Sequence, residues 1–233
     1  MSMRYNTDLM AQEDLDSIES VWDYVDPKWA GRIVALSPLN GGADDTYYEA
    51  YVHPDIGKEW VDAFVDPALD VSFTDNLPFL VNSIATGKFH VGIAVGPSAE
   101  GDLDSLAALG APVERFPCTV ADVCVKEMRE GGVLSGAGSL NNMVVLADEP
   151  HPNATKLFVN WFLSQEGQST MHQLAAQESD QTLRTDVTDF GKTRDFERRD
   201  NDRDYFFFSA DLSFLSQREE ALQHARDAYN AAQ

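Results

Sequence analysis

The apolar positions of this chain fall into short runs separated by polar, turn-rich segments. Ile33-Val34-Ala35-Leu36 is a compact apolar run suited to a buried strand, and Phe89–Val95 reads as a second strand, closed by Gly96-Pro97. Val71–Phe73, Val113–Phe116, Val123–Lys126 and Asn142–Ala147 read as further short strands, and Tyr5–Leu9 as an extended segment. Between them the spacing turns helical. It does so at Leu15, Ile18, Val21 and Trp22, through Tyr47, Tyr48 and Tyr51, over Glu59–Phe64, and over Leu103–Leu109 before Gly110. Pro78 opens another helix through Phe79, Leu80, Ile84 and Ala85 that ends at Gly87. The densest stripe is Ala154, Leu157, Phe158, Trp161 and Phe162, at i, i+3, i+4, i+7 and i+8. There Pro152 suits the first turn and Asn153 or His151 can cap it, while Ser164 looks like the cap of a second helix toward Ala176. Leu215, Leu222 and Ala225 mark a terminal helix over Leu212–Tyr229, preceded by a long polar excursion from Glu178 to Asp204 and the aromatic cluster Tyr205–Phe208. Strands alternating with helices predict the α/β class.

Composition narrows the role. The 233 residues are 43% hydrophobic and 10% aromatic, enough to fill a packed core. A formal charge of −22 repels phosphate backbones and anionic lipid, which disfavours nucleic acid or a membrane surface as partner. No apolar run approaches the length that spans a bilayer, and MSMRYNTDLM has no apolar region of a secretory signal. Cys118 and Cys124 are spaced for either a small disulfide loop or two free thiols, and no histidines complete a zinc site with them. The five histidines are scattered and the carboxylates too abundant for any pair to signal catalysis.

Several stretches also resemble one family, in order. Tyr5-Asn6-Thr7-Asp8-Leu9 looks like its "YNT" crossover. Trp22 with Asp26-Pro27-Lys28-Trp29-Ala30-Gly31-Arg32-Ile33 is similar to its "DPKWKGRI" turn, and Ile84-Ala85-Thr86-Gly87-Lys88 to its helix-to-strand step. The segment from Glu149 to Gln168, with His151-Pro152-Asn153-Ala154 and Ser164-Gln165-Glu166-Gly167-Gln168, resembles its helix pair. Leu183-Arg184-Thr185-Asp186-Val187 resembles its later "LRtDV" turn. The family is that of the ABC-transporter extracellular solute-binding proteins of the ferric-iron type. The resemblance implies a two-lobed, periplasmic-binding-protein-like type II fold, periplasmic location, capture of a small solute between lobes and delivery to an ABC permease, with no catalysis and no cofactor. It implies residues 1–19 as a crossover segment from a first lobe whose leading part is absent. Residues 20–133 would be the second α/β lobe, and 134–233 the returning part of the first. The aromatic face at Phe158, Trp161 and Phe162 would then lack its sheet, so the chain is expected to self-associate or to be completed by another chain. An enzyme on the same fold acting on a small amino or heterocyclic compound, and a ligand-sensing lobe, stay open as alternatives.

Candidate ligand contacts follow. The loop Ser37–Ala43 sits where a strand hands over to a helix, and its glycines allow close backbone approach to an anion. By resemblance that role falls to Asn40, Gly41 and Gly42, although Asp44 and Asp45 place negative charge beside it. Gly96 and Ser98 follow a second strand, with Pro97 and Ser98 where ferric-binding members carry paired tyrosines. Asn76, with Thr74 and Asp75, is a third candidate and fits a helix cap equally well. Tyr47 and Tyr48 are expected to pack, one ring buried and one exposed.

Overall fold

Two Asp-Pro turns prepare the parallel part of the central sheet. Asp26 accepts from the Lys28 N–H at 2.8 Å and Asp66 from the Ala68 N–H at 2.8 Å, each capping one 3₁₀ turn that begins at the following proline. Trp29 and Leu69 anchor these turns in the core. Gly31, with φ 71°, then turns the chain into the strand, its N–H donating to Leu69 O at 3.1 Å. In the DPKWAGRI stretch, Asp26, Pro27, Trp29 and Gly31 therefore each have a physical reason. The computed structural model describes residues 3–116, 143–174, 184–187 and 211–233, with Pro97, Ser98, Glu100 and 172–174 described by backbone alone.

The sheet comprises β1 (Met3–Asn6), β2 (Ile33–Leu36), β3 (Ser72–Thr74), β4 (Val91–Ile93) and β5 (Val113–Arg115), in the order β3-β2-β4-β1-β5. β2 runs parallel to both neighbours, Val34 lying opposite Ser72 on one side and Gly92 on the other. β1 is antiparallel to β4 and β5. All four residues of β2 are buried, so both faces of the sheet's centre are covered, which is why its sequence is a continuous apolar run. The helices of this part are α1 (Gln12–Asp16), α2 (Asp44–Val52), α3 (Lys58–Val65), α4 (Leu77–Ala85) and α5 (Pro97–Ala108). The helix expected around Leu15–Trp22 is instead the short α1 and a separate 3₁₀ turn over Val21–Val25, which starts at the Ser20 capping box.

Within this core two family-like stretches meet. The Asn6 side chain donates to Ile84 O at 2.8 Å, and the Asn6 N–H to His90 O at 2.9 Å, tying the YNT strand to the end of α4. Arg4 is buried and pairs with Asp104 of α5 at 2.7 Å, and Arg115 reaches the other carboxylate oxygen at 3.1 Å. Burial alone would raise the Asp104 carboxyl, but the two guanidinium groups outweigh it and hold the group below the ordinary value.

The chain divides into two units, Met1–Val133 with Phe206–Gln233, and Leu134–Tyr205. The sequence reading groups 134–233 together and sets 1–19 apart. Here residues 3–6 are a strand inside the sheet, and the C-terminal helix belongs with the first unit. The reason is apolar: Ala221 and Leu222 of the terminal helix α9 (Arg218–Ala231) bury against Tyr48 and Val52 of α2. To keep chain order, the two helices of the second unit are α6 (Pro152–Phe162) and α7 (Gln165–Leu174), and α8 is Leu212–Leu215. The single terminal helix expected over 212–229 is split because Ser213 O accepts from the Ser216 hydroxyl at 2.9 Å and the Gln217 amide at 3.0 Å.

In the second unit the corner between α6 and α7 explains the Ser-Gln-Glu-Gly-Gln wording. The last carbonyls of α6 are each met by a side chain: Trp161 O by the Ser164 hydroxyl at 2.6 Å, Phe162 O by Gln168 at 2.7 Å, and Leu163 O by Arg184 at 2.8 Å. Arg184 is held for this by Asp186, at 2.8 and 2.6 Å. Ser164 also caps α7, accepting from the Gly167 N–H at 3.1 Å. A Cβ on Gly167 would lie 2.0 Å from Trp161 O, so only glycine fits the corner. The start of α6 differs from expectation. His151 contributes no side-chain cap, and the Glu149 carboxylate accepts from the His151 N–H at 3.0 Å and the Thr155 hydroxyl at 3.2 Å. The strand expected over Asn142–Ala147 is not formed at the described positions, where Met143–Leu146 are irregular and exposed. Cys118, Cys124, the 123–126 strand, the glycine-rich stretch at 131–139 and Tyr205–Phe208 lie outside the described residues.

Candidate functional site

Because β2, β3 and β4 are parallel, their carboxyl ends open on one edge of the sheet, and the loops that follow them gather there. After β2, Asn40 shapes the loop: its side-chain oxygen accepts from the Gly42 N–H at 2.9 Å, and its carbonyl from the Ala43 N–H at 2.9 Å. A Cβ at Gly41 would meet nothing within 4 Å, so the loop is open on the side where a side chain at this position would stand. After β3, the Ser37 hydroxyl donates to the Asp75 carboxylate at 2.6 Å and the Asn40 amide to Asp75 O at 3.4 Å, joining the first two loops. After β4, Ala94 takes φ 54° and Gly96 φ 78°. A Cβ on Gly96 would lie 3.1 Å from Gly42 O and 3.3 Å from a Leu36 methyl, so the third loop touches the first through glycine backbone.

Of the sequence-predicted residues, Asn40, Gly41, Gly42 and Gly96 are thus brought together. Asn76 lies at the same edge, but its side-chain oxygen caps α4 by accepting from the Phe79 N–H at 2.9 Å, the cap its sequence context also allowed. Ser98 stands in the first turn of α5, just beyond Gly96. The expectation for the tyrosine pair is corrected. Tyr47 and Tyr48 are both buried, at 1% exposure each. Tyr47 points at the sheet and donates to Leu36 O at 2.7 Å, and burial raises its phenol far above the usual value. Tyr48 is covered by α9, a neighbour that the local helical pattern carries no sign of.

Sequence reasoning missed three residues at this edge, all on α9. Arg226 donates to Pro38 O at 3.4 Å and to the Asp44 carboxylate at 3.3 Å, and Arg218 lies 3.5 Å from the other Asp44 oxygen. The acidic start of α2 is therefore partly neutralised. Tyr229 packs edge-on against Phe73 of β3, ring centroids 5.2 Å apart, and burial together with the Asp75 carboxylate raises its phenol. The spacing of Arg218, Arg226 and Tyr229 on one helix was visible in the sequence, but not the loop they serve. Among the described residues, no group of three or more His, Cys, Asp or Glu is placed to hold a metal ion, and no helix is long and apolar enough to cross a membrane.

No protein-family model matches the chain, and no curated protein matches it. Solved structures do. The chain is similar to the substrate-binding protein of an ABC transporter from Agrobacterium tumefaciens, with 15% identity and a TM-score of 0.55 over 98% of this chain and 64% of that one. The fold is that of a substrate-binding protein. A second likeness is to iron-bound HitA from Pseudomonas aeruginosa, with 18% identity and a TM-score of 0.54 over 97% of this chain and 66% of that one. The chain thus spans less than two thirds of the length of these substrate-binding-fold structures. The first is described as a substrate-binding protein and the second as iron-bound, and the expected α/β, periplasmic-binding-protein-like fold class agrees with them.

Proposed function

We propose that this chain is the larger part of a solute receptor of an ABC importer, and that it holds its ligand against the loops at the carboxyl edge of β2, β3 and β4. The observation that carries the reading is the close approach of the loops after β2 and β4 at the carboxyl edge of the sheet, where a Cβ on Gly96 would lie 3.1 Å from Gly42 O, so that glycine at 96 lets the two strand-end loops meet. The ligand is a small solute, an anion, an amine or a chelated metal. It is delivered from the periplasm to a permease, and the chain performs no chemistry on it. Asn40, Gly41, Gly42, Gly96 and Ser98 form the contact set, with Asn76 beside them as the α4 cap. The fold shared with the two similar substrate-binding-fold structures supports this reading over an enzyme on the same scaffold. Self-association through the open α6 face belongs to the same reading and predicts a sedimentation coefficient that rises with protein concentration.

Thermal shift of the full chain against small anions, amines and chelated ferric iron tests the receptor role. At least one ligand should raise the melting temperature of the wild type, and Gly96→Ala should abolish that rise. A panel in which nothing shifts the wild type would sink the proposal.

A further inference from the structure

The loop Ser37–Ala43 has little of its own to hold it. Its internal bonds run from the Leu39 N–H to the Ser37 hydroxyl at 3.3 Å, from the Asn40 N–H to Ser37 O at 3.0 Å, from the Ala43 N–H to Asn40 O at 2.9 Å, and from the Gly42 N–H to the Asn40 side chain at 2.9 Å. Gly41 and Gly42 carry no side chain that could pack, and glycine has the most conformational freedom to lose on ordering. Outside support comes from the loop after β3, through the Ser37 and Asn40 bonds to Asp75, and from α9. One guanidinium, Arg226, reaches both the near end of the loop at Pro38 O and its far end at Asp44, the first residue of α2. Pro38 lacks an N–H, so its carbonyl is the backbone group through which that residue can be tied down. Three residues further along the same helix, Tyr229 packs on Phe73, one position before the end of β3 and the loop that carries Asp75.

We propose that Arg226 is a positioning residue: by bridging Pro38 O and Asp44 it holds the loop after β2 in the shape that receives the ligand, and Tyr229 steadies the neighbouring loop. The inference rests on the receptor reading of this edge. It assigns the terminal helix, which re-enters the first unit after Tyr205, a part in binding that its sequence distance from the loops conceals. Arg226 acts through the loop and not by touching the solute. Its Nε and one terminal nitrogen are engaged by Pro38 O and the Asp44 carboxylate.

Amide hydrogen exchange on the full chain, without ligand, tests the brace directly. In R226Q the amides of Leu39–Ala43 should exchange about five- to tenfold faster, as expected for losing one partly buried charge-assisted contact, while those of α4 stay unchanged. R226K keeps a charge near Asp44 but lacks the second arm of the fork, so it should fall between wild type and R226Q, and it carries the comparison if R226Q does not fold. Unchanged loop exchange, or equal acceleration in α4, would overturn the proposal. Titration with inorganic phosphate, followed by tryptophan fluorescence, separates the two readings. Where the wild type binds phosphate, R226Q should bind about three- to tenfold more weakly through its looser loop, and equal affinity would overturn the brace. A wild type that binds neither phosphate nor any member of the solute panel, with a loop that still loosens in R226Q, would remove the receptor reading and leave the brace standing.

Discussion

Helices α3 and α6 carry similar aromatic stripes, Trp60 and Phe64 in one, Phe158, Trp161 and Phe162 in the other. On α3, Trp60 is fully buried, stacks on Phe64 at 4.8 Å and donates to Val21 O at 2.9 Å. On α6 the rings also touch, Phe158 lying 6.1 Å from Trp161 and 5.8 Å from Phe162, yet Phe158 is 53% and Trp161 37% exposed. The stripe is equally helical in both. What differs is whether a second layer lies on it. Amphipathic pattern specifies a helix and the face that seeks cover, but the free energy of burial is realised only when the cover exists.

Replacing both tryptophans is the strongest way to break this comparison. Trp60→Ala should cost about 3–5 kcal/mol in urea unfolding, through the cavity left and the lost bond to Val21 O. Trp161→Ala should cost less than about 1 kcal/mol, and similar losses would mean that the α6 face is covered after all. The corner of the second unit cuts the other way, because it is tight although its face is open. Gly167→Ala should therefore destabilise that unit by about 1–3 kcal/mol or more, read as faster amide exchange in α6 and α7 with α3 untouched. Tyr47→Phe sharpens the contrast within the first unit: it leaves the buried Leu36 carbonyl without its donor and should cost about 1–3 kcal/mol. The smallest effect expected is on pH dependence. The folded Asp104 carboxyl lies below its ordinary 3.8, so the stability it contributes is complete above that value and is lost as pH falls through the lower folded one. Asp104→Asn should flatten that part of the acid limb, measured as the urea midpoint against pH, and an unaltered slope would show that Arg4 and Arg115 do not set it.

Much of the fold was legible because it is written in local terms. Continuous apolar runs such as Ile33–Leu36 mark strands buried on both faces, and Pro78 with Gly87 brackets α4. The loops holding Asn40, Gly42 and Gly96 were legible as strand-to-helix turns, and the parallel register then put them side by side. Other readings failed for a shared reason. The apolar run at 142–147 suits a strand, but a strand needs a partner to pair its backbone, and Met143–Leu146 form no ladder. Tyr48 was expected to be half of a buried and exposed pair, and α9 buries it from more than a hundred residues away. Arg226 went unnoticed because its partners, Pro38 O and Asp44, are equally remote.

By itself, then, the sequence determined the α/β alternation, the capped turns that launch β2 and β3, the glycines at the strand ends and the Ser-Gln-Glu-Gly corner. Each depends on dihedral preferences and hydrogen bonds among residues a few positions apart. Only the tertiary structure decided which aromatic face is covered, which tyrosine meets the sheet, and that the last helix braces the first loop of the candidate site. Those outcomes depend on contacts between segments distant in the chain, where the apolar pattern states a need for cover without naming what supplies it.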